Sequence, residues 1–402
     1  MHSANTRLHV YERAAKSLPG ITRGFRAAAS LHCHTNFSKE LLTFIPHYAA
    51  MIPIVSRLFK AEMDRYLTLH GRTVDFNRAY WTPPVAPRQV LEVETLQIES
   101  RLGLPAFVSI TDHDDIEASL RLQVIDSGRR IPISLEWTVP YGEGFFHLGI
   151  HNLPQEFATE IHRELMKYTD QASGKEGGTD ENAMSLRDLF MLLNEAPETL
   201  VVLNHPLWDI EFIGAQRHQA CLKAFLKEHG EWIHALEING FRSWRENREV
   251  MMLAEESGYP VVTGGDRHGC QANTLLNLSR AATFADFVAE VREDQRSEVL
   301  LLPEYRDSRV ARTIQVAADV LRHYPQHPLG KDHWQDRVFV DIGDGCGSRS
   351  LARHWPNGGP SWVRASLWML RKLGTRLQPA LRLALAGEEV RIEMNERMSY
   401  EN

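Results

Sequence analysis

The chain is 402 residues long, 43% hydrophobic and 24% charged; this ordinary globular composition suits one large domain with additions, or two domains, and excludes a disordered or fibrous protein. Lys and Arg total 45 against 52 Asp and Glu, a formal charge of -7, so the mean field does not favour polyanions and a nucleic-acid contact would have to be local. Cys33, Cys221, Cys270 and Cys346 lie far apart with no CxxC pair, which gives no disulfide framework and points to a reducing, cytoplasmic compartment.

Met1 to Arg13 lacks the apolar core of a signal peptide. Short apolar runs that read as buried strands then recur at Ala28 to Leu31, Ala106 to Ile110, Ile131 to Leu135, Phe145 to Ile150, Leu200 to Leu203, Ala235 to Ile238 and Pro260 to Thr263. Helical patterns fill most gaps, at Arg88 to Leu102, Ser185 to Glu195, Gln216 to Lys227 and Arg245 to Ser257. Strand then helix, repeated, predicts an α/β protein with a parallel barrel or open sheet. Nearly every run ends in His, Asp or Glu; contributions from so many strand ends need closure about a common axis, which favours the barrel.

Leu41 to Leu58 is apolar and carries no charge before Arg57, but Pro46 and Pro53 interrupt it and His47, Tyr48 and Ser56 add polar groups. It reads as buried or lid-forming helices, with no membrane span. The insertion it opens runs to Pro87 and returns through Trp81-Thr82-Pro83-Pro84. A second insertion, Thr169 to Ala183, contains Gly-Lys-Glu-Gly-Gly and reads as a mobile surface loop. After about Phe284 the pattern changes to helices and a Gly-rich turn, Gly343 to Gly347, predicting a barrel over 1–284 and a helical C-terminal extension over 285–402. From Gly345 to Gly387 there is no acid, while Arg349, Arg353, Arg364, Arg371, Lys372, Arg376 and Arg382 accompany Trp355, Trp362 and Trp368. This predicts an amphipathic helix packed on the barrel with its arginines in water; the alternative is a patch that touches an anionic partner such as phosphate backbone or lipid headgroups.

The chemistry-bearing residues follow the strands. His32 and His34 flank Cys33, and alternation points both the same way, where two imidazoles can share a metal. Thr111-Asp112-His113-Asp114 sets an imidazole between carboxylates that could orient it. Glu136 closes an apolar run and needs a cation or a compensating network there. His147 sits inside an apolar run, Asn204-His205-Pro206 follows another, and Gly264-Gly265-Asp266-Arg267-His268-Gly269 again offers two ligands, Asp266 and His268. Six histidines and two carboxylates exceed the needs of one ion, implying two or three divalent ions; mixed N and O donors without thiolate suit Mn, Fe or Zn.

This ordered set, from about Ser30 to Gly269, resembles the PHP (polymerase and histidinol phosphatase) domain superfamily. The resemblance implies a distorted (β/α)7 TIM-like barrel whose top holds up to three divalent metals through His32, His34, His113, Glu136, His147, His205, Asp266 and His268, with Glu136 as the bridging carboxylate. Where the family often continues the first motif as Ser-Asp-Gly, this chain reads Ser38-Lys39-Glu40; a charged Lys cannot ligate, so Glu40 is the substitute ligand. Asn204 stands where a small residue is usual, and the insertion is long for the family.

Clustered divalent ions acidify a bridging water and neutralise charge developing at phosphorus, so the expected activity is hydrolysis of a phosphate ester by a metal-bridging hydroxide. Glu136 is the bridging acid, His113, His268 or a neighbouring carboxylate the proton donor to the leaving group, and Arg267, Arg242 or Arg245 a phosphate clamp. A small phosphorylated metabolite or nucleotide is the expected substrate, with nucleic acid disfavoured by charge, and the apolar character of the Leu41 to Pro87 insertion leaves open a substrate carrying a hydrophobic group. The alternatives are a metal-dependent amide or lactone hydrolase, although no Lys ends a predicted strand, and a nonenzymatic metal-stabilised interaction module.

Overall fold

The computed structural model describes residues 5–10, 22–51, 53–125, 131–172, 184–324, 331–342 and 347–385. Its strands, in chain order, are β1 (Asn5–Val10), β2 (Ala27–Cys33), β3 (Glu40–Leu41), β4 (Tyr80–Trp81), β5 (Ala106–Ile110), β6 (Ile133–Tyr141) and β7 (Gly144–Leu153). They continue with β8 (Leu200–Leu203), β9 (Ala235–Asn239), β10 (Val261–Arg267), β11 (Leu275–Ser279), β12 (Arg296–Leu301), β13 (Val338–Val340) and β14 (Arg349–Ser350). All seven expected strands form.

Ten strands make one sheet in the order β1-β12-β11-β2-β10-β9-β8-β7-β6, with β5 on β2. The ladders β5-β2, β2-β10, β10-β9 and β9-β8 are parallel, so their C-terminal ends lie together. The sheet is mixed, however, where an all-parallel one was expected. Glu136 does not end β6: the strand runs on to Tyr141 because Trp137 to Tyr141 pair antiparallel with Gly144 to Leu148 in a tight hairpin. No ladder joins β5 to β6 among the described residues; one parallel bridge pairs His113 with Glu136, supported by Asp114 N donating to Glu136 O at 2.9 Å and Glu136 N to Asp112 O at 3.2 Å.

Helices between the strands carry local start and stop signals. The helix Pro87–Leu102 starts on a proline and ends at Gly103, whose φ of 64° supplies the left-handed cap. Ser185 and Ser243 cap the helices Leu186–Glu195 and Trp244–Ser257 by accepting from Asp188 N and Glu246 N, each at 3.2 Å. The largest core cluster lies between the β6-β7-β8-β9 region and the helices Ala158–Ala172, Leu186–Glu195, Ala215–His229 and Trp244–Ser257, around Trp137, Phe190 and Phe225.

The chain beyond Phe284 supplies strands as well as helices: β12 joins the main sheet between β1 and β11. The insertion and the C-terminal segment meet in a second sheet, β14-β13-β4-β3. β1, β11 and β12 escaped the sequence reading because each is followed by a turn or loop without a ligand motif. The insertion folds as helices Phe44–Met51 and Pro53–His70, and no helix among the described residues is long and apolar enough to cross a membrane. Of the second insertion, Thr169 to Ala172 belong to the helix Ala158–Ala172; its remainder and most of the Gly343 to Gly347 turn lie outside the described residues.

Trp137 is fully buried, and its indole N–H donates to Thr169 Oγ1 at 2.9 Å. Trp137→Ala should destabilise the fold by about 3–5 kcal/mol, from lost packing and a residual cavity, as read by a denaturant midpoint shift at unchanged slope.

Candidate metal centre

All nine donors expected from sequence converge at the C-terminal ends of the parallel strands, around the β5-β6 seam. Glu136 is the hub. Its Oε2 lies 3.0 Å from His32 Nε2, 3.4 Å from His34 Nε2 and 3.3 Å from His113 Nδ1; its Oε1 lies 3.2 Å from both His147 Nδ1 and His205 Nε2. Asp266 Oδ1 stands 3.5 Å from His268 Nδ1, 3.6 Å from His34 Nε2 and 3.9 Å from His32 Nε2. Glu40 Oε2 completes the nest, 3.0 Å from His268 Nε2 and 3.2 Å from His113 Nε2. Glu40, the substitute read from Ser38-Lys39-Glu40, therefore reaches the cluster from β3.

Local backbone geometry aims these groups. His32, His205 and Asp266 adopt positive φ of 62°, 29° and 50°, a conformation that non-glycine residues avoid and that persists where surroundings enforce it. The register of β2 shifts against both β5 and β10 at this level, so His32 and His34 converge through a bulge rather than by plain strand alternation. Cys33 faces away toward Ser30 Oγ at 3.8 Å, and burial, followed by the Glu94 charge, pushes its thiol up to about 12.

Electrostatics show what the nest lacks. Burial alone would drive the carboxylates up and the imidazoles down, yet the surrounding histidines hold Glu136 and Glu40 well below the ordinary range, and the imidazoles around Asp266, His34 foremost, do the same for it. Against burial, Glu136 and Glu237 raise His32 well above its usual value, and Glu40 and Glu136 raise His113 to about 10. Burial wins at His34 and His147, each lowered to about 4. His32 Nε2, His34 Nε2, His147 Nδ1 and Glu136 Oε2 are nevertheless buried without hydrogen-bond partners, which is costly for groups of this polarity. Three overlapping donor groups have ligand atoms within 4.8 Å of one another: His34, Glu40, His113 and His268; His32, His34 and Glu136; His113, Glu136 and His147. Mixed imidazole and carboxylate donors gathered this closely, several of them unpartnered, fit divalent cations.

A supporting layer was only partly legible. His32 Nδ1 lies 2.6 Å from Glu237 Oε2, and Asn239 Nδ2 donates to Glu237 Oε1 at 2.7 Å, a carboxylate–histidine pair that leaves Nε2 for the centre. Glu237 was missed as a functional residue, although an acid inside the apolar run Ala235 to Ile238 was its signal. Gly264 makes room for it: a Cβ there would collide with the Glu237 carboxylate. Ser38 donates to Glu40 Oε1 at 2.6 Å, and Asn204 donates to Glu136 Oε1 at 3.0 Å, which explains an amide before His205. Asp112 and Asp114 do not orient the His113 ring as expected: Asp112 accepts from Thr35 Oγ1 at 2.6 Å and Asp114 from Thr138 N at 2.7 Å, each tying down a loop.

The three candidate phosphate clamps separate. Arg267 is turned away from the donors and buried, its Nε 2.8 Å from Glu94 Oε1 and its Nη1 donating to Gly269 O at 2.6 Å; it serves the fold behind the site, because Asp266 and His268 take the opposite face of the chain. Arg245 is exposed beside Glu249 at 3.2 Å. Arg242 alone reaches the centre, buried, 3.5 Å above the Trp208 ring, with Nη2 3.9 Å from Asp266 Oδ2. Glu40, His113, His147, His205, Asp266 and His268 line a cavity of about 2650 Å³.

No family model matches the sequence, and no curated protein matches it. Among solved structures, PsfC from Pseudomonas syringae is 15% identical with a TM-score of 0.33, the match covering 54% of this chain and 83% of PsfC. An amidohydrolase from Chromobacterium violaceum, with bound sulfate and no metal, is 14% identical at 0.33, covering 48% and 86%. A proposed metal-dependent phosphoesterase from Bifidobacterium adolescentis is 14% identical at 0.34, covering 66% and 95%.

Glu237→Gln should lower divalent-metal affinity about 10- to 100-fold while the protein stays folded, by releasing the His32 ring; competition with a chromogenic chelator measures this. His113 is protonated at pH 7 in the ion-free protein, so an ion bound there displaces its proton. Apparent affinity should then rise with pH, up to about tenfold per unit for each proton released, and calorimetric titration in buffers of different ionisation enthalpy counts those protons.

Proposed function

We propose that the protein is a metal-dependent phosphoesterase of PHP type, with two or three Mn, Fe or Zn ions held by His32, His34, Glu40, His113, Glu136, His147, His205, Asp266 and His268. On this reading the seam between β5 and β6 is the distortion of a seven-stranded (β/α) barrel, and residues 285–402 are an extension on it. The observation that carries an enzymatic role is that six of the nine donors line the open cavity: a structural metal site is closed by protein ligands, whereas a catalytic one is reachable by substrate.

Divalent ions bound in this nest supply Lewis acidity, lowering the pKa of water and neutralising charge on phosphoryl oxygens. The chain's own groups do the rest. Arg242, pinned between Trp208 and Asp266, presents guanidinium N–H donors at the cavity edge to a phosphate oxygen. His268 and His113 line the cavity surface, where whichever of them holds no ion can pass a proton to a leaving alkoxide. Trp81, with ring centroids 5.6 Å from His268, narrows the mouth and limits water there. A phosphorylated small molecule and a cytoplasmic location complete the proposal.

Purified protein with added manganese should hydrolyse p-nitrophenyl phosphate, bis-p-nitrophenyl phosphate or nucleotides. Asp266→Asn should lose roughly 100-fold or more in kcat, in the range of other catalytic electrostatic groups, with circular dichroism unchanged, and Arg242→Ala should act mainly on KM. Cleavage of amides or lactones with every phosphoester untouched would reject the phosphoesterase reading; several tightly held metals with no hydrolysis of any kind would favour a structural role.

A further inference from the structure

The cavity over the donors is larger than a small phosphorylated metabolite needs: about 2650 Å³, where sites for drug-sized ligands run about 300–1,000 Å³. Its floor is the polar nest with Arg242. Two helices wall its far side, and each turns an apolar stripe at i, i+4, i+7 spacing into it: Phe59, Met63 and Tyr66 on Pro53–His70, and Val363, Leu367 and Leu370 on Ser361–Leu373. All six side chains are only half-buried, and neither helix buries a single residue. Helices packed for the fold's sake alone would bury such stripes. The C-terminal helix Ser361–Leu373 packs on the helix Arg309–Val320, itself part of the lining, and borders the cavity, where packing on the barrel was expected.

The floor and walls are continuous. His47 of the insertion stacks on Phe212 with ring centroids 3.9 Å apart and an interplanar angle of 11°, and Tyr48 meets the same ring edge-on at 6.0 Å. Phe212 and Trp208 lie on the loop after His205, so this aromatic clasp anchors the insertion beside Arg242 and leads from the donors to the apolar stripes.

We infer that the substrate is an amphiphilic phosphoester, a phosphate group esterified to a long hydrocarbon chain, with its phosphate at the donors and its chain between the two helices; the inference rests on the phosphoesterase reading. In the reaction, the oxygen of water bonds to phosphorus, the bond from phosphorus to the ester oxygen breaks, and that oxygen leaves with a proton from water, giving a long-chain alcohol and inorganic phosphate. The chain adds binding through burial of methylenes, and that contribution is absent for a short ester.

Titration calorimetry of the manganese-loaded full chain with butyl, octyl and dodecyl phosphate below their micelle concentrations tests this, alongside phosphate release and p-nitrophenyl phosphate turnover. A fully buried methylene is worth about fourfold in affinity, so with partial burial Kd should fall roughly 100-fold from butyl to dodecyl. Met63→Gln combined with Leu367→Gln should flatten the series and leave p-nitrophenyl phosphate turnover unchanged. Dodecyl phosphate offered both free and in phosphatidylcholine vesicles tells, by the tighter arm, where the chain is drawn from. Hydrolysis of p-nitrophenyl phosphate with a flat affinity series overturns the inference and leaves the phosphoesterase reading intact. Steep chain-length dependence of binding without turnover of any ester means that the reaction is wrong, while a hydrocarbon-bearing ligand still belongs in this cleft.

Discussion

A carboxylate with no access to water lies at the centre of this molecule. Glu136 is fully buried, and an ion placed so costs several kcal/mol unless opposite charge and hydrogen bonds surround it. Five imidazoles and the Asn204 amide provide that surround. The positive-φ residues, the bulge in β2 and the lone bridge between β5 and β6 all occur where the chain bends to bring those groups to one point. Backbone strain, usually confined to functional sites, here gathers on three of the donors themselves.

Around that centre the chain is built in two layers with different physics. The strands β2, β5, β8, β9 and β10 bury near-continuous apolar runs, which fixes strand order and sets the donors at one end. The insertion and residues 331–385 add little fully buried apolar surface of their own; they are tied together by the small sheet β14-β13-β4-β3 and border the large cavity. Glu40 links the layers, since β3 belongs to the second sheet while its carboxylate joins His113 and His268. The first insertion thereby contributes to the nest as well as covering it.

The donor set was legible in sequence because acids and histidines that end or interrupt apolar runs are anomalous unless something compensates them. The same logic marks Glu237 in the run Ala235 to Ile238, an acid compensated by the His32 ring. It could not decide Arg267, because a guanidinium one residue from a donor faces the donor or the reverse side by backbone direction alone, and this one pairs with Glu94, far away in sequence. The mixed character of the sheet was hidden for a related reason: antiparallel β6-β7 and parallel neighbours show the same short apolar runs, and only the tight Tyr141 to Gly144 turn distinguishes them. The pairing of β13 with β4 joins segments more than two hundred residues apart, which no local pattern encodes.

Anomalous diffraction from crystals grown with manganese, recorded near its absorption edge, examines the nest itself. If Glu136 balances its buried charge against divalent ions, two or three peaks will lie within about 2.0–2.3 Å of its oxygens and of the ring nitrogens around it. A map with no peak there, and those imidazoles instead hydrogen-bonded to one another and to the acids as cations, would contradict the account.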